Sequence, residues 1–322
     1  MGRIRTRLLP AVFAAAALLC APAGAAQGAV NPCQLTPTPG NSEVTVQSGG
    51  VERTAMLYVP PAAAGQRLPV LVGLHGAGGT FFESYSGFSV LAESEDFIAV
   101  YPNPVDEEGG HTFWNIYDSQ AGGGPDVQFI SDLLDYLESN LCVDPSRVYA
   151  AGVSNGGGMA ARVACVLSSR FAGFASIAGG YGSLPPCRPS NPVSVVEVHG
   201  TADGSVPYDG SRPDGAGAVW PWLAAWGQQD GCSGPPTDSR IAPRVERYDW
   251  THCAEGAAVE HIEIFGGNHQ LPGALPPDPG QTSTVSATWL AWSFLRQHTQ
   301  AAPFPPVGAT SRAARRRRTI RA

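Results

Sequence analysis

Lysine is absent: all 20 basic side chains among the 322 residues are arginines. Without lysine there is no P-loop lysine, no Schiff-base lysine and no Ser-Lys dyad, so three chemistries fall away at once. No C-x2-C pair occurs among the seven cysteines, which argues against zinc. Charge is scarce, at 15% of residues against 43% hydrophobic, while 39 glycines and 29 prolines point to a turn-rich compact fold rather than disorder. A mean hydropathy of −0.06 argues against a polytopic membrane protein. What charge there is is segregated. The first 25 residues hold three arginines and no acid, residues 300–322 hold six and no acid, and the body between carries 27 acids against 11 arginines. Phosphate binding needs a basic surface, so nucleic acid is not an expected partner.

The two basic ends read differently. Arg3, Arg5 and Arg7, the apolar stretch Leu8 to Leu19 and the small residues Ala23-Gly24-Ala25 have the layout of a secretory signal peptide over residues 1–25. An exported product without stable membrane association is expected. Residues 301–322, a Pro-rich stretch followed by Arg315 to Arg318, read as a disordered tail. Six cysteines remain after cleavage, an even number in an oxidising compartment. Short loop closure pairs Cys165 with Cys187 and Cys232 with Cys253, and elimination pairs Cys33 with Cys142.

Between residues 30 and 300, short Val/Ile/Leu/Ala runs alternate with helix-length segments. Strands are expected at Glu43–Val46, Thr54–Val59, Pro69–Leu74, Phe97–Tyr101, Arg147–Ala151, Phe174–Ile177, Val193–Val198 and His261–Phe265. Helices are expected at Phe81–Glu93, Val127–Leu141, Gly157–Leu167, Val219–Gln229 and Thr284–His298. Runs that do not alternate suit buried parallel strands, so the pattern predicts one α/β domain, a mostly parallel sheet with helices on both faces and an antiparallel hairpin at its edge. In such a sheet the chemistry sits at the carboxyl ends of the strands.

Gly152-Val153-Ser154-Asn155-Gly156 lies between a strand and a helix. This is the G-x-S-x-G nucleophile-elbow pattern, in which flanking glycines let strand and helix approach closely around a strained serine. A nucleophilic hydroxyl needs a base, and the base an orienting acid, following in the order Ser, Asp/Glu, His. His269 is the histidine that follows the final strand, in a Gly-rich loop, and is the expected base. Asp203 follows the strand Val193–Val198 and is the expected acid, with Asp209 the weaker alternative; His199 reads as a hydrogen-bonding support. Oxyanion donors are expected from the Asn155 amide and from the loop His75-Gly76-Ala77-Gly78-Gly79, Ala77 first and Gly78 second. Trp222 and Trp226, spaced i,i+4, read as core. The aperiodic stretch 103–124, which contains Trp114, reads as a loop over the site. No motif calls for a metal or an organic cofactor.

Taken together, His75-Gly76-Ala77-Gly78-Gly79, Asp126 to Ile130, Val143 to Tyr149, Gly152 to Gly157, His199-Gly200-Thr201-Ala202-Asp203 and Gly267-Asn268-His269 resemble the polyhydroxybutyrate depolymerase and feruloyl esterase family. The resemblance implies an α/β-hydrolase fold, secretion and Ser154, Asp203 and His269 as a catalytic triad. It places Trp114 and Asn115 in an acyl-binding wall, with His75, Trp114 and Leu271 expected to meet substrate. Leu271 stands where members usually carry tryptophan, which removes an aromatic plate for an aryl acid. Asp126 is expected to be structural. The implied activity is ester hydrolysis through an acyl-enzyme. Feruloyl-type cleavage of plant polysaccharide esters leads, ahead of hydroxybutyrate oligomers or acetylated xylan as polyester or polysaccharide substrates. A serine peptidase and a non-catalytic exported binding protein are the remoter alternatives.

Overall fold

Residues with apolar side chains on both sides of a strand can be satisfied only by a sheet covered on both faces. A computed structural model of the protein has that arrangement. It describes residues 31–34, 37–63, 65–79, 82, 86–104, 106–107, 111–117, 124–182, 184–185, 188–211, 217–274 and 285–300. The chain divides into a short unit, Met1–Asn31, and a compact unit, Pro32–Ala322. The expected signal peptide and arginine tail fall outside the described residues.

The strands are β1 Gly40–Ser48, β2 Val51–Val59, β3 Leu68–Leu74, β4 Ile98–Pro102, β5 Asp106–Glu107, β6 His111–Thr112, β7 Val143–Val153, β8 Gly173–Ile177, β9 Ser194–Gly200, β10 Thr237–Ala242, β11 Val245–Trp250 and β12 Val259–Ile264. Ten form one sheet in the order β1-β2-β4-β3-β7-β8-β9-β12-β11-β10, and β5 pairs with β6 alone. From β4 to β12 the neighbours run parallel. The hairpin β1–β2 closes one edge as expected. The opposite edge is a second hairpin, β10–β11, where the sequence reading had no strand. Its residues are mostly polar, with β10 largely exposed at the edge and β11 buried only at Val245 and Trp250, so it lacks the apolar run that marks the others.

The helices are α1 Phe88–Glu95, α2 Gly124–Asn140, α3 Asn155–Val166, α4 Val219–Gln229 and α5 Ala287–Leu295. Helices α2, α3 and α4 bury Phe129, Leu133, Met159, Leu223 and Trp226 against one face of the sheet. On the other face α1 and α5 bury Phe88, Ala92, Trp292 and Leu295. Trp226 is core, its indole N–H donating to the Val193 carbonyl at 3.0 Å, and Trp222 stacks on Tyr181 with centroids 3.7 Å apart.

Covalent and ionic ties fix the ends of these elements. Disulfides join Cys33 to Cys142 and Cys232 to Cys253. Cys165 is also disulfide-bonded; Cys187, its expected partner, lies outside the described residues. Arg53 on β2 donates to Asp126 at 2.8 Å, with both side chains buried, and its guanidinium lies 4.1 Å from the centre of the Phe129 ring. The other Asp126 oxygen accepts the Asn115 amide at 2.8 Å, so this acid ties the 111–117 segment to the sheet. Removing one member of a buried pair strands the other without a partner. Arg53→Ala is therefore expected to lower the unfolding free energy by about 3 kcal/mol in chemical denaturation.

Candidate active site

The strand order reverses between β3 and β7: the chain leaves β3 toward β4 on one side and later returns as β7 on the other. Loops at such a point diverge and leave a crevice at the carboxyl ends of the strands. Both predicted oxyanion segments and the predicted nucleophile flank it, because Leu74 of β3 is in register with Gly152 of β7.

Ser154 sits between β7 and α3 with φ 56° and ψ −120°, a conformation that costs a non-glycine residue energy and persists only when its surroundings impose it. Its surroundings do so through close backbone approach. A Cβ on Gly152 would lie 2.2 Å from the Gly156 carbonyl oxygen, and a Cβ on Gly156 would lie 2.2 Å from that of Leu74. The turn therefore tolerates only glycine on either side of Val153-Ser154-Asn155. Ser154 is partly exposed at the strand end.

Asp203 and His269 meet as expected. The loops after β9 and β12 are tied together by the Ala202 amide donating to the Gly267 carbonyl at 2.9 Å. Across them, His269 Nδ1 donates to Asp203 Oδ2 at 2.7 Å, with the Asp203 side chain fully buried and that of His269 25% exposed. Asp203 Oδ1 accepts the Ser205 and Val206 amides at 2.8 and 2.7 Å. Burial works to raise the Asp203 carboxyl, but hydrogen bonds from His199, His269 and the Val206 amide outweigh it and hold the group well below the usual carboxylate range. Asp203 is thus an ionised acceptor that sets the tautomer of His269, leaving Nε2 free to accept a proton. No hydrogen bond joins the Ser154 hydroxyl to His269 among the described residues; such contacts commonly tighten only with substrate in place. The weaker alternative, Asp209, is exposed and accepts the Ser211 amide within its own turn.

The oxyanion expectations divide. Ala77 and Asn155 present backbone amides with no hydrogen-bond acceptor among the described residues, and the Asn155 amide stands at the N-terminus of α3, where the helix dipole favours negative charge. Gly78 does not qualify, because its amide is spent on the Thr112 carbonyl at 2.8 Å.

The expected substrate wall is also corrected. Trp114 and His75 are 1% exposed and Leu271 is 3% exposed, so all three lie beneath the surface rather than facing it. Leu271 packs into the core beside α5. Trp114 is a brace: its indole donates to the His75 carbonyl at 3.1 Å, its amide donates to Asn155 Oδ1 at 2.8 Å, and its carbonyl accepts from Asn155 Nδ2 at 3.1 Å. The Thr112 hydroxyl donates to the Gly79 carbonyl. Through Thr112 and Trp114 the described 111–117 stretch clamps the Ala77 loop to Asn155, while Phe113, Asn115 and Tyr117 are exposed; much of the expected 103–124 loop lies outside the described residues. Its use of the Asn155 side chain has no marker in the sequence beyond that asparagine within the pentapeptide. Burial holds His75 below its usual value, against the Gly76 carbonyl that its Nδ1 contacts at 2.7 Å.

Behind Asp203 stand groups that the sequence reading largely passed over. His199 supports the acid, as expected, with its Nε2 3.3 Å from Asp203 Oδ2, while its Nδ1 bonds Glu197 Oε1 at 2.8 Å. Glu197 and His261 are both fully buried. No cluster of His, Cys, Asp and Glu among the described residues could hold a metal ion.

Comparisons with known proteins bear on the family and the fold. The family profile described as "Esterase PHB depolymerase" matches residues 54–183. A chain named as an esterase, NocK of Nocardia uniformis subsp. tsuyamanensis, is 34% identical over 252 residues, 71% of this chain and 73% of that one. Feruloyl esterase C of Emericella nidulans is 28% identical over 275 residues, 81% of this chain and 93% of that one. A bifunctional acetylxylan esterase/xylanase of Neocallimastix patriciarum is 26% identical over 80% of this chain, which spans 35% of its length. Among solved structures, the acetyl xylan esterase from Aspergillus awamori superposes with a TM-score of 0.58 at 17% identity, covering 72% of this chain and 95% of that one; at this identity the likeness speaks for the α/β-hydrolase fold. With that fold, and with relatives that are esterases along most of its length, the chain belongs to the polyhydroxybutyrate depolymerase and feruloyl esterase family and is a carboxylic ester hydrolase.

Proposed function

We propose that the protein is an exported serine esterase in which Ser154 is the nucleophile, His269 the general base and acid, and Asp203 the residue that orients His269. The Asp203–His269 hydrogen bond of 2.7 Å between the loops after β9 and β12, with a serine held at φ 56° at the end of β7 in the same sheet, carries this reading. Ser154 Oγ attacks the ester carbonyl as His269 Nε2 takes its proton; the developing oxyanion is met by the Ala77 and Asn155 amides. The carbonyl re-forms as the alcohol leaves with the proton from His269. Water then enters and attacks the acyl carbon as His269 takes its proton; the acyl–Ser154 bond breaks, His269 returns the proton to Ser154 Oγ, and the acid is released. Export is supported by the N-terminal Arg-apolar-small layout and by the disulfides Cys33–Cys142 and Cys232–Cys253.

Feruloyl-type esters of plant polysaccharides are the first expected substrate class. Methyl ferulate, acetylated xylan and a soluble hydroxybutyrate oligomer, offered in parallel with a labelled peptide panel and a fluorophosphonate probe, test the reading. Hydrolysis of at least one ester with probe labelling at Ser154 is the expected result, and the preferred ester names the acyl class. Turnover of peptides alone would move the assignment to a peptidase. Silence on every substrate with no labelling would leave a binding protein.

A further inference from the structure

Parallel pairing of β9 with β12 sets Glu197 opposite His261 and His199 opposite Glu263, so two E/H pairs share one region of the sheet. Glu197, His199 and His261 are at most 1% exposed and Glu263 is 8% exposed. Each ionised group taken from water must find compensation, so the pairing can be read as a proton inventory. Glu197 Oε1 faces His199 Nδ1 at 2.8 Å and the Tyr181 hydroxyl at 3.0 Å, whose one proton it shares with Ser176 Oγ at 2.7 Å; its Oε2 lies 2.7 Å from His261 Nδ1 without a hydrogen bond. Two imidazole nitrogens thus stand within 2.8 Å of this one carboxyl, which is the environment of a carboxylate. On the far side of the ring, His199 Nε2 faces the Val206 carbonyl at 2.9 Å and Asp203 Oδ2 at 3.3 Å. A carbonyl oxygen has no proton to give, nor has a carboxylate. Both nitrogens of His199 must therefore carry hydrogen, and the ring is an imidazolium.

Resting on the triad proposed above, we infer that His199 is a permanent buried cation, kept charged by Glu197, that acts as a positioning residue on Asp203: it shares Oδ2 with His269 and offsets part of the carboxylate charge there. The groups that face His199 are Glu197 on its own strand, Asp203 and the Val206 carbonyl from the following loop, the Tyr208 ring with centroids 5.7 Å away, and Glu263 opposite on β12; His261 and Tyr181 reach it through Glu197. Burial alone would lower His199, but the Glu197 charge, followed by the Asp203, Glu197 and Val206 hydrogen bonds, pushes it up to about 10. Burial likewise would raise Glu197, but the His199 charge and hydrogen bond bring it down to about 2. The two charges sustain one another. A cation this close to the acid of a triad belongs to the field in which the protons of the reaction move, so its removal should be read in the pH profile.

The first arm of the test is nitrogen NMR on the intact chain with 15N-labelled histidine. One ring among the seven histidines should hold protons on both nitrogens throughout about pH 5 to 8 and vanish from the spectrum of His199→Gln. If every ring titrates as an ordinary imidazole, or is a neutral tautomer at the upper end, the inference is wrong; that outcome needs no variant to fold. The second arm is the pH profile of kcat/KM for ester hydrolysis. In His199→Gln the acid limb should move up by about one pH unit. A uniform loss of kcat/KM with the acid limb in place would reduce His199 to a packing role and overturn the inference. Activity surviving in Ser154→Ala would remove the triad while leaving the NMR result standing, so the two failures are distinct.

Discussion

Ser154→Ala should lose ester hydrolysis by about 10⁴-fold or more in kcat, with residual rate owed to binding and the oxyanion donors. Lost activity by itself could reflect lost folding, and the geometry of Ser154 separates the two. Its hydroxyl makes no hydrogen bond among the described residues, so alanine removes the nucleophile and little else. Unfolding of Ser154→Ala should stay within about 0.5 kcal/mol of the parent. Ser154→Gly goes further. The backbone at φ 56°, ψ −120° strains any residue with a Cβ, at a cost of about 1–3 kcal/mol. Glycine gives part of that back through its greater freedom in the unfolded chain, about 0.5–1 kcal/mol. The Ser154→Gly protein should therefore be inactive yet more stable than the parent by about 1 kcal/mol. An active Ser154→Ala protein would overturn the nucleophile assignment, and a destabilised Ser154→Gly protein would remove strain from the account of the turn.

What local sequence encodes and what it does not can be seen at this site. The strands β3, β7, β8 and β9 were legible because each is buried on both faces and so is written as a continuous apolar run. Ser154 and Asp203 stand out because each follows such a run, and His269 because it is in the Gly-rich loop after the last strand, β12. The hairpin β10–β11 was not, since an exposed edge places few demands on residue type. Gly78 fell from the oxyanion candidates for a reason no reading of its loop could supply, an acceptor 34 residues away in Thr112. Trp114 turned from substrate wall to brace on the same ground. The buried Glu197 and His199 stood in plain view inside the strand Val193–Val198 and just beyond it. Their meaning depends on which strand lies beside β9, and parallel register between β9 and β12 is a long-range property that no window of the sequence holds.

The second large effect is expected at Gly156, from the addition of a single methyl group. On Gly156 that carbon would lie 2.2 Å from the Leu74 carbonyl oxygen, 2.4 Å from that of His75 and 2.6 Å from the Leu74 carbonyl carbon. All three are backbone atoms, so no side chain can rotate away, and α3 or the end of β3 must move. Overpacking of well-packed interiors typically costs about 1–3 kcal/mol, and rigid neighbours on every side place this site at the upper end. Gly156→Ala should therefore lose about 3 kcal/mol in chemical denaturation. The same displacement reaches the chemistry. His75 opens the loop that carries Ala77, and α3 carries the Asn155 amide, so pushing the two apart spoils the spacing between oxyanion donors. Loss of one such donor costs about 10²–10³-fold in kcat, and Gly156→Ala should fall by a comparable factor at temperatures where it remains folded. Gly204, next to Asp203, is the control, because a Cβ there meets nothing within 4 Å and its φ is not in the left-handed region. Gly204→Ala should leave stability within about 0.5 kcal/mol and kcat near the parent value. If Gly156→Ala matched that control, the contact between α3 and the end of β3 would not be what holds the oxyanion donors in place. A kcat loss in folded Gly156→Ala, set against an unaffected Gly204→Ala, ties catalysis to the backbone spacing that the two glycines of the elbow permit.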